Sequence, residues 1–338
     1  MASKERTSVI VARDTTPYVT WLGCSPEGDA LVIEQPGLAE PPGRLLRRAS
    51  GTWEILAELP GVNGPAALSP DGGTLLAEGP LWGGEPGSTV LVDLQAMRIT
   101  HTLPLTGPYA WVDARRFVAQ TLRFSAVRVG ERYAPGATRK GDPALIAAWP
   151  GLLSEGHGMA VVDLDTLTAR PVLSGLLLDP ERCCAISGDR EVLYSATRYA
   201  RISAVRLSDG GLLWQRPPVR TPAAGTVAAL TLRDGALVAS GLGDVDLRVL
   251  DARGGALLHQ EALGHRPGFP TFHELSCALV RADGRLVLAS DQGALLTCAR
   301  DGSWTAVKVA GRAIQALVEG PDGRLLVGGA ERNLRLVA

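Results

Sequence analysis

The feature that most constrains this chain is a phrase it repeats: an apolar run, a short turn rich in Asp and Gly, and a second apolar run. In order it reads TWLGCSPEGDALVIE, AALSPDGGTLLAE, AWVDARRFVAQ, CAISGDREVLYSA, AALTLRDGALVAS, CALVRADGRLVLAS and ALVEGPDGRLLVGG. Short apolar runs bounded by such turns are strand–turn–strand signals, because Asp and Gly supply the backbone geometry that reverses the chain. Marking each phrase by its second turn residue gives Gly28, Gly72, Ala114, Asp189, Gly235, Gly284 and Gly323, at intervals of 44, 42, 75, 46, 49 and 39. All but one lie near the ~40–45 residues that one four-stranded repeat unit occupies. The interval of 75 is read as one unit plus an insertion, because residues 122–157 lack the alternation and turn spacing of a further hairpin.

Each hairpin is followed by a third apolar run and a short turn into a fourth, as in STVLVDL to RITHTL, GMAVVDL to TARPVL and GALLTCA to SWTAV. Calling these strands a, b, c and d, the last unit runs out after its c strand, NLRLV at 333–337. The N-terminal SVIVA at 8–12 supplies the missing d strand. Such sharing protects sheet edges that would otherwise pair with other chains. The expected fold is therefore all-β: one seven-bladed β-propeller domain over residues 1–338, built of four-stranded antiparallel blades and closed by the N-terminal strand joining the last blade. The 122–157 insertion falls in the b–c loop of blade three.

Residues 237–251, LVASGLGDVDLRVLD, resemble a WD-repeat blade, with Asp246 near the tight turn and RVLD where that family ends in Trp-Asp. LSDGGLLWQ at 207–215 is similar to the repeats of quinoprotein-like propellers. The resemblance spans the chain and implies a binding platform, since most such rings bind partners rather than turn over substrates.

Antiparallel order puts the a–b and c–d turns at one end of every blade and the b–c and d–a connections at the other. The long connections all fall at the second end, which makes it the expected functional face. The insertion carries Arg123, Phe124, Arg128, Arg132, Tyr133, Arg139, Lys140 and Trp149; a second long loop, 261–274, carries His265, Arg266, Phe269 and Phe272. Arginine mixed with aromatics is the composition of interaction hot spots. The competing reading makes the insertion a self-packed flap and the second loop a turn stiffened around Pro267 and Pro270. The expected function is a non-catalytic scaffold binding a protein or peptide partner through these loops. The alternative is an enzyme or small-molecule binder with a pocket at the axial mouth, roofed by the insertion.

Composition narrows the classes further. A net charge of −1, with 20% charged and 46% hydrophobic residues, argues against a general grip on nucleic acid. No apolar run reaches the length of a membrane span or a secretory segment. Five cysteines, odd in number and without CxxC spacing, suit a reducing compartment, so the expected location is cytoplasmic. Arginine far outnumbers lysine in a chain rich in Ala and Gly, which suggests a GC-rich bacterial genome. No catalytic or metal-binding residue and no cofactor is expected. GATRKGD at 136–142 lacks the ending of a phosphate loop, no Gly-x-Ser-x-Gly elbow occurs, and His265 and His273 share only an irregular loop. Asp93, Asp163, Asp209, Asp251 and Asp301 recur at c–d turns, where Asp accepts backbone N–H bonds. Cys183 and Cys184 are read as buried structural thiols.

Overall fold

The computed structural model describes residues 9–14, 18–35, 43–49, 52–59, 66–78, 89–103, 105–121, 128–129, 132–133, 158–174, 181–197, 201–216, 226–242, 247–329 and 333–337. Among these the architecture is all-β, with a single 3₁₀ turn at Leu263–His265. The strands form the four-stranded antiparallel blades of a propeller. The chain divides into two compact units, residues 1–59 with 221–252 and 256–338, and residues 60–220 with 253–255.

In the first unit, one blade comprises β2 (Tyr18–Cys24), β3 (Ala30–Gln35), β4 (Gly43–Ala49) and β5 (Thr52–Leu59). A second comprises β20 (Thr226–Arg233), β21 (Ala236–Leu242), β22 (Leu247–Asp251) and β23 (Leu257–Glu261). A third comprises β24 (Leu275–Val280), β25 (Leu286–Ser290), β26 (Ala294–Cys298) and β27 (Trp304–Lys308). The last contains β28 (Ile314–Glu319), β29 (Leu325–Gly329) and β30 (Asn333–Val337), and its fourth strand is β1 (Val9–Asp14) from the other end of the chain. Val9 pairs with Val337 and Asp14 with Asn333, with a register shift between Val11 and Arg13.

The second unit holds the blade β6 (Ala66–Leu68), β7 (Thr74–Glu78), β8 (Thr89–Asp93) and β9 (Arg98–Leu103). Next come β10 (Leu105–Trp111) and β11 (Arg116–Thr121), then a two-residue ribbon of β12 (Arg128–Val129) and β13 (Arg132–Tyr133). The same blade resumes with β14 (Gly158–Asp163) and β15 (Thr168–Ser174). The unit's last blade is β16 (Glu181–Ile186), β17 (Val192–Thr197), β18 (Ile202–Arg206) and β19 (Leu212–Arg216).

Sequence pattern accounts for each strand's place. The b and c strands are near-continuous apolar runs, such as TLLAE, TVLVD, GMAVVD and LVLAS, and nearly every residue in them is buried. A strand buried on both faces must lie between two other layers. The d strands, such as RITHTL and LLHQE, are mostly exposed, as outer edges are.

The core is correspondingly a series of interblade layers. Phe117 and Ala119 of β11 pack with Leu76 of β7 and Leu91 of β8; Met159 and Val161 of β14 pack with Leu193 of β17 and Val205 of β18. In the first unit, Val287 and Leu295 meet Leu325 and Val327, and Val19 and Val32 meet Leu326 and Leu334. Each fully buried aliphatic side chain is worth about 1.5–3 kcal/mol relative to exposure.

Polar ties reinforce these layers. Trp111 Nε1 donates to the Ala67 carbonyl at 3.0 Å, and Arg233 Nη2 donates to the Ala299 carbonyl at 3.0 Å. Arg281 reaches the Gly323 carbonyl and pairs with Glu319 at 2.8 Å, both side chains being largely buried. The turns behave as read: Asp93 Oδ1 accepts from the Gln95 and Ala96 N–H groups, Asp163 Oδ1 from Asp165 and Thr166, and Asp209 Oδ1 from Gly211. The expectation that Cys183 and Cys184 are buried needs correction: both are only partly buried, because they lie on β16, the first strand of its blade. Cys277 packs against an interblade layer, and burial pushes its thiol up to about 12.

Removing residues 1–12 deletes most of β1 and leaves the ladder groups of β30 unpaired. The truncated protein is expected to melt roughly 5 °C or more below the full chain. Differential scanning calorimetry of both proteins checks this, and equal melting temperatures would show that β1 contributes nothing to the last blade.

Candidate functional site

The b–c and d–a connections leave from one end of each blade, here called the loop end, and the a–b and c–d turns from the other, the turn end. At the loop end of the second unit, β11 and β14 stay in unbroken register from Arg116↔Asp163 to Thr121↔Gly158. Residues 122–157 therefore leave and re-enter the blade between two directly paired residues. Within them, Arg128 pairs with Tyr133 and Val129 with Arg132 as the β12–β13 ribbon. Three of the sequence-selected positions, Arg128, Arg132 and Tyr133, therefore lie on this paired ribbon. Arg123, Phe124, Arg139, Lys140 and Trp149 lie outside the described residues.

The loop end of the preceding blade in the chain holds a buried polar group. Glu78, the last residue of β7, pairs across the ladder with Thr89 and is 8% exposed. Thr89 Oγ1 donates to the Leu105 carbonyl at 2.8 Å and shares a 2.8 Å hydrogen bond with the Tyr109 hydroxyl. Burial pushes the Glu78 carboxyl up to about 7. Burial, together with the Glu78 charge, also raises Tyr109 above the ordinary phenol range. Gln120, near the end of β11, is likewise buried. Sequence reading passed over Glu78; the signal was available in TLLAE, where a charged residue closes an otherwise apolar b strand.

In the first unit, the 261–274 loop packs on itself. Arg266 Nη1 lies 2.8 Å from Glu261 Oε1, and the Arg266 guanidinium carbon sits 5.2 Å from the centre of the Phe269 ring. Phe272 is 5% exposed and joins the core layer of Leu263, Leu275 and Leu288, against which Phe269 also packs. Of the four loop residues singled out from sequence, His265 alone is exposed. Phe272 serves the core, because the 3₁₀ turn folds the loop back across β24. The arginine–aromatic composition here closes an internal contact.

Among the described residues, no three His, Cys, Asp or Glu side chains gather as a metal site, and no helix is long and apolar enough to cross a membrane. No protein-family model matches this chain, and no curated protein matches it. The WD-repeat and quinoprotein resemblances accordingly rest on the residues quoted above.

Glu78 generates a pH prediction. Its folded pKa of about 7 lies above the ordinary carboxyl value of 4.5, so the folded state holds the proton more tightly than the unfolded chain. Stability is unaffected by this group below about pH 4, falls as pH rises between about 4.5 and 7, and stays reduced above. Glu78→Gln removes the penalty. The variant is expected to exceed the parent in stability by up to about 3 kcal/mol at pH 8 and to match it at pH 4. Urea unfolding at the two pH values measures the difference; a gain that is equal at both would refute the assignment.

Proposed function

We propose that this chain is a non-catalytic, seven-bladed WD-repeat-like propeller that binds a protein or peptide partner through its loop end, with residues 122–157 as the principal contact. The observation that carries the reading is the graft. A segment that departs and returns between the paired residues Thr121 and Gly158 adds nothing to the ladder of its own blade, so its retention calls for a role outside the fold. Its composition, five cationic side chains with Phe124, Tyr133 and Trp149, suits recognition of a protein surface. The proposal includes closure of the blades into one ring. It also includes a cytoplasmic, bacterial setting, with which five free cysteines agree.

Glu78 favours a second reading, a small-molecule pocket at the loop end. A carboxyl held near neutrality by burial, next to a hydroxyl pair, is a common feature of ligand sites.

Replacing residues 122–157 with a short Gly-containing turn discriminates the two. Loop-closure entropy changes slowly with length, so the melting temperature is expected to shift by no more than about 2 °C. Partner recovery from the native host, quantified against the full chain, is expected to fall at least about tenfold, whereas Arg253→Ala at a c–d turn leaves it unchanged. Undiminished recovery by the deletion protein would overturn the proposal, and global unfolding would show the segment to be part of the core.

A further inference from the structure

The turn end of the second unit contains a feature that the loop-end reading does not use. Between the β10–β11–β14–β15 blade and the β16–β17–β18–β19 blade lies an open cleft of about 390 Å³. Its polar wall is made by Arg116, Arg170, Arg190 and Arg206 with Glu191, and its apolar floor includes Val112, Val161 and Leu207. A volume of this size suits a small molecule.

The four arginines differ in how far their charge is already answered. Arg116 is paired with Asp113 and Arg206 with Asp209, each at 2.7 Å, both within their own turns. Arg170 donates through Nη2 to the backbone carbonyl of Leu207 across the cleft, a bond to a neutral acceptor that fixes the guanidinium against the wall without neutralising it. Arg190 is placed most unusually. Its N–H closes the a–b turn onto the Ser187 carbonyl at 2.9 Å, and its backbone is left-handed, with φ of 62°. At the same hydrogen-bonded position the a–b turns of four other blades carry Gly28, Gly72, Gly284 and Gly323, each with positive φ. Glycine adopts that conformation freely and a long side chain does not. This blade accepts strain in its backbone and thereby places a guanidinium at the mouth of the cleft.

From this geometry we infer that the cleft binds a small hydroxylated phosphomonoester, of the sugar-phosphate or polyol-phosphate class. Arg170 and Arg190 form no ion pair among the described residues, and their planar forks match the oxygens of a phosphate. Glu191, in the same wall, accepts a hydroxyl hydrogen and disfavours a polyanionic strand, which sets the site apart from a nucleic-acid surface. The apolar floor takes the carbon skeleton. Sequence reading missed this site because its residues come from a–b turns, a d strand and a c strand of two blades; the one local sign was Asp-Arg at 189–190, where the sister turns read Glu-Gly or Asp-Gly.

The test is isothermal titration of the full chain, at low ionic strength, with ribose 5-phosphate, inorganic phosphate and ribose. Ribose 5-phosphate is expected to saturate with Kd below roughly 1 mM, inorganic phosphate to bind more weakly, and ribose not at all. Arg190→Gly restores the residue used by the sister turns. Its melting temperature is expected to equal or exceed that of the parent, while its affinity for ribose 5-phosphate falls at least about tenfold, as expected on losing a charged hydrogen-bond donor. Glu191→Gln is expected to weaken ribose 5-phosphate without weakening inorganic phosphate. Unsaturable binding of ribose 5-phosphate at about 10 mM, or undiminished affinity in Arg190→Gly, would overturn the assignment. Equal affinity for the sugar phosphate and inorganic phosphate would overturn the hydroxylated class.

Discussion

Burial of the b and c strands on both faces is the constraint on which the other features of this protein depend. Leu75, Leu76 and Ala77 of β7, Leu193 of β17 and Leu286 through Ala289 of β25 have almost no accessible surface, and a single sheet exposes both its faces. Each blade therefore requires a neighbour, and the core becomes a succession of interblade layers rather than one central mass. The d strands are on the whole more exposed, although Leu103 of β9 and Val172 and Leu173 of β15 still reach the core layers. The last blade takes its d strand from the other end of the chain, and the β1–β30 ladder tolerates the register shift between Val11 and Arg13.

With the blade faces committed to packing, chemistry is confined to the two ends. At the turn end, the demand for compact reversals is met by Asp side chains that accept backbone N–H groups. Backbone bonds from Thr166 and Gly211 lower the carboxyl pKa values of Asp163 and Asp209 accordingly. Arginine then bridges blades by donating to carbonyls, as Arg170, Arg233 and Arg281 do within their units. A guanidinium suits this task because its several donors can serve one blade's turn and the next blade's backbone together. The same habit leaves charge over, and where the Arg170 bridge meets the left-handed turn at Arg190, a cationic cleft results. At the loop end the connections are free to lengthen, because the strands they join remain paired whatever leaves between them. The Thr121↔Gly158 pair shows this directly.

Among the described residues, Glu78 and Arg190 are two whose placement costs the fold stability. Glu78 is buried at the end of an apolar strand, and its protonation near neutrality lowers the cost of that burial. Arg190 holds a backbone conformation that glycine fills elsewhere. One lies at each end of the second unit, and Arg190 stands in the wall of the turn-end cleft.

The sequence by itself determined the all-β class, the hairpins and their order, the c–d turn aspartates, and the N-terminal strand as partner of the last blade. All of these are local: apolar alternation and turn chemistry are written within a few residues, and the strand left over at one terminus answers the strand missing at the other. Only the tertiary structure decided which side chains meet. Phe272 reads as a contact residue in a Pro-rich loop and is core, because the loop folds back over β24. Cys183 and Cys184 read as buried and are only partly so, because they lie on the first strand of their blade. Arg116, Arg170, Arg190 and Arg206 are spread over ninety residues of sequence and line one cleft, because the face-to-face packing of two blades brings their turns together. Periodicity specifies which face of a strand is buried; it carries no information about which residues of the neighbouring blade will stand opposite.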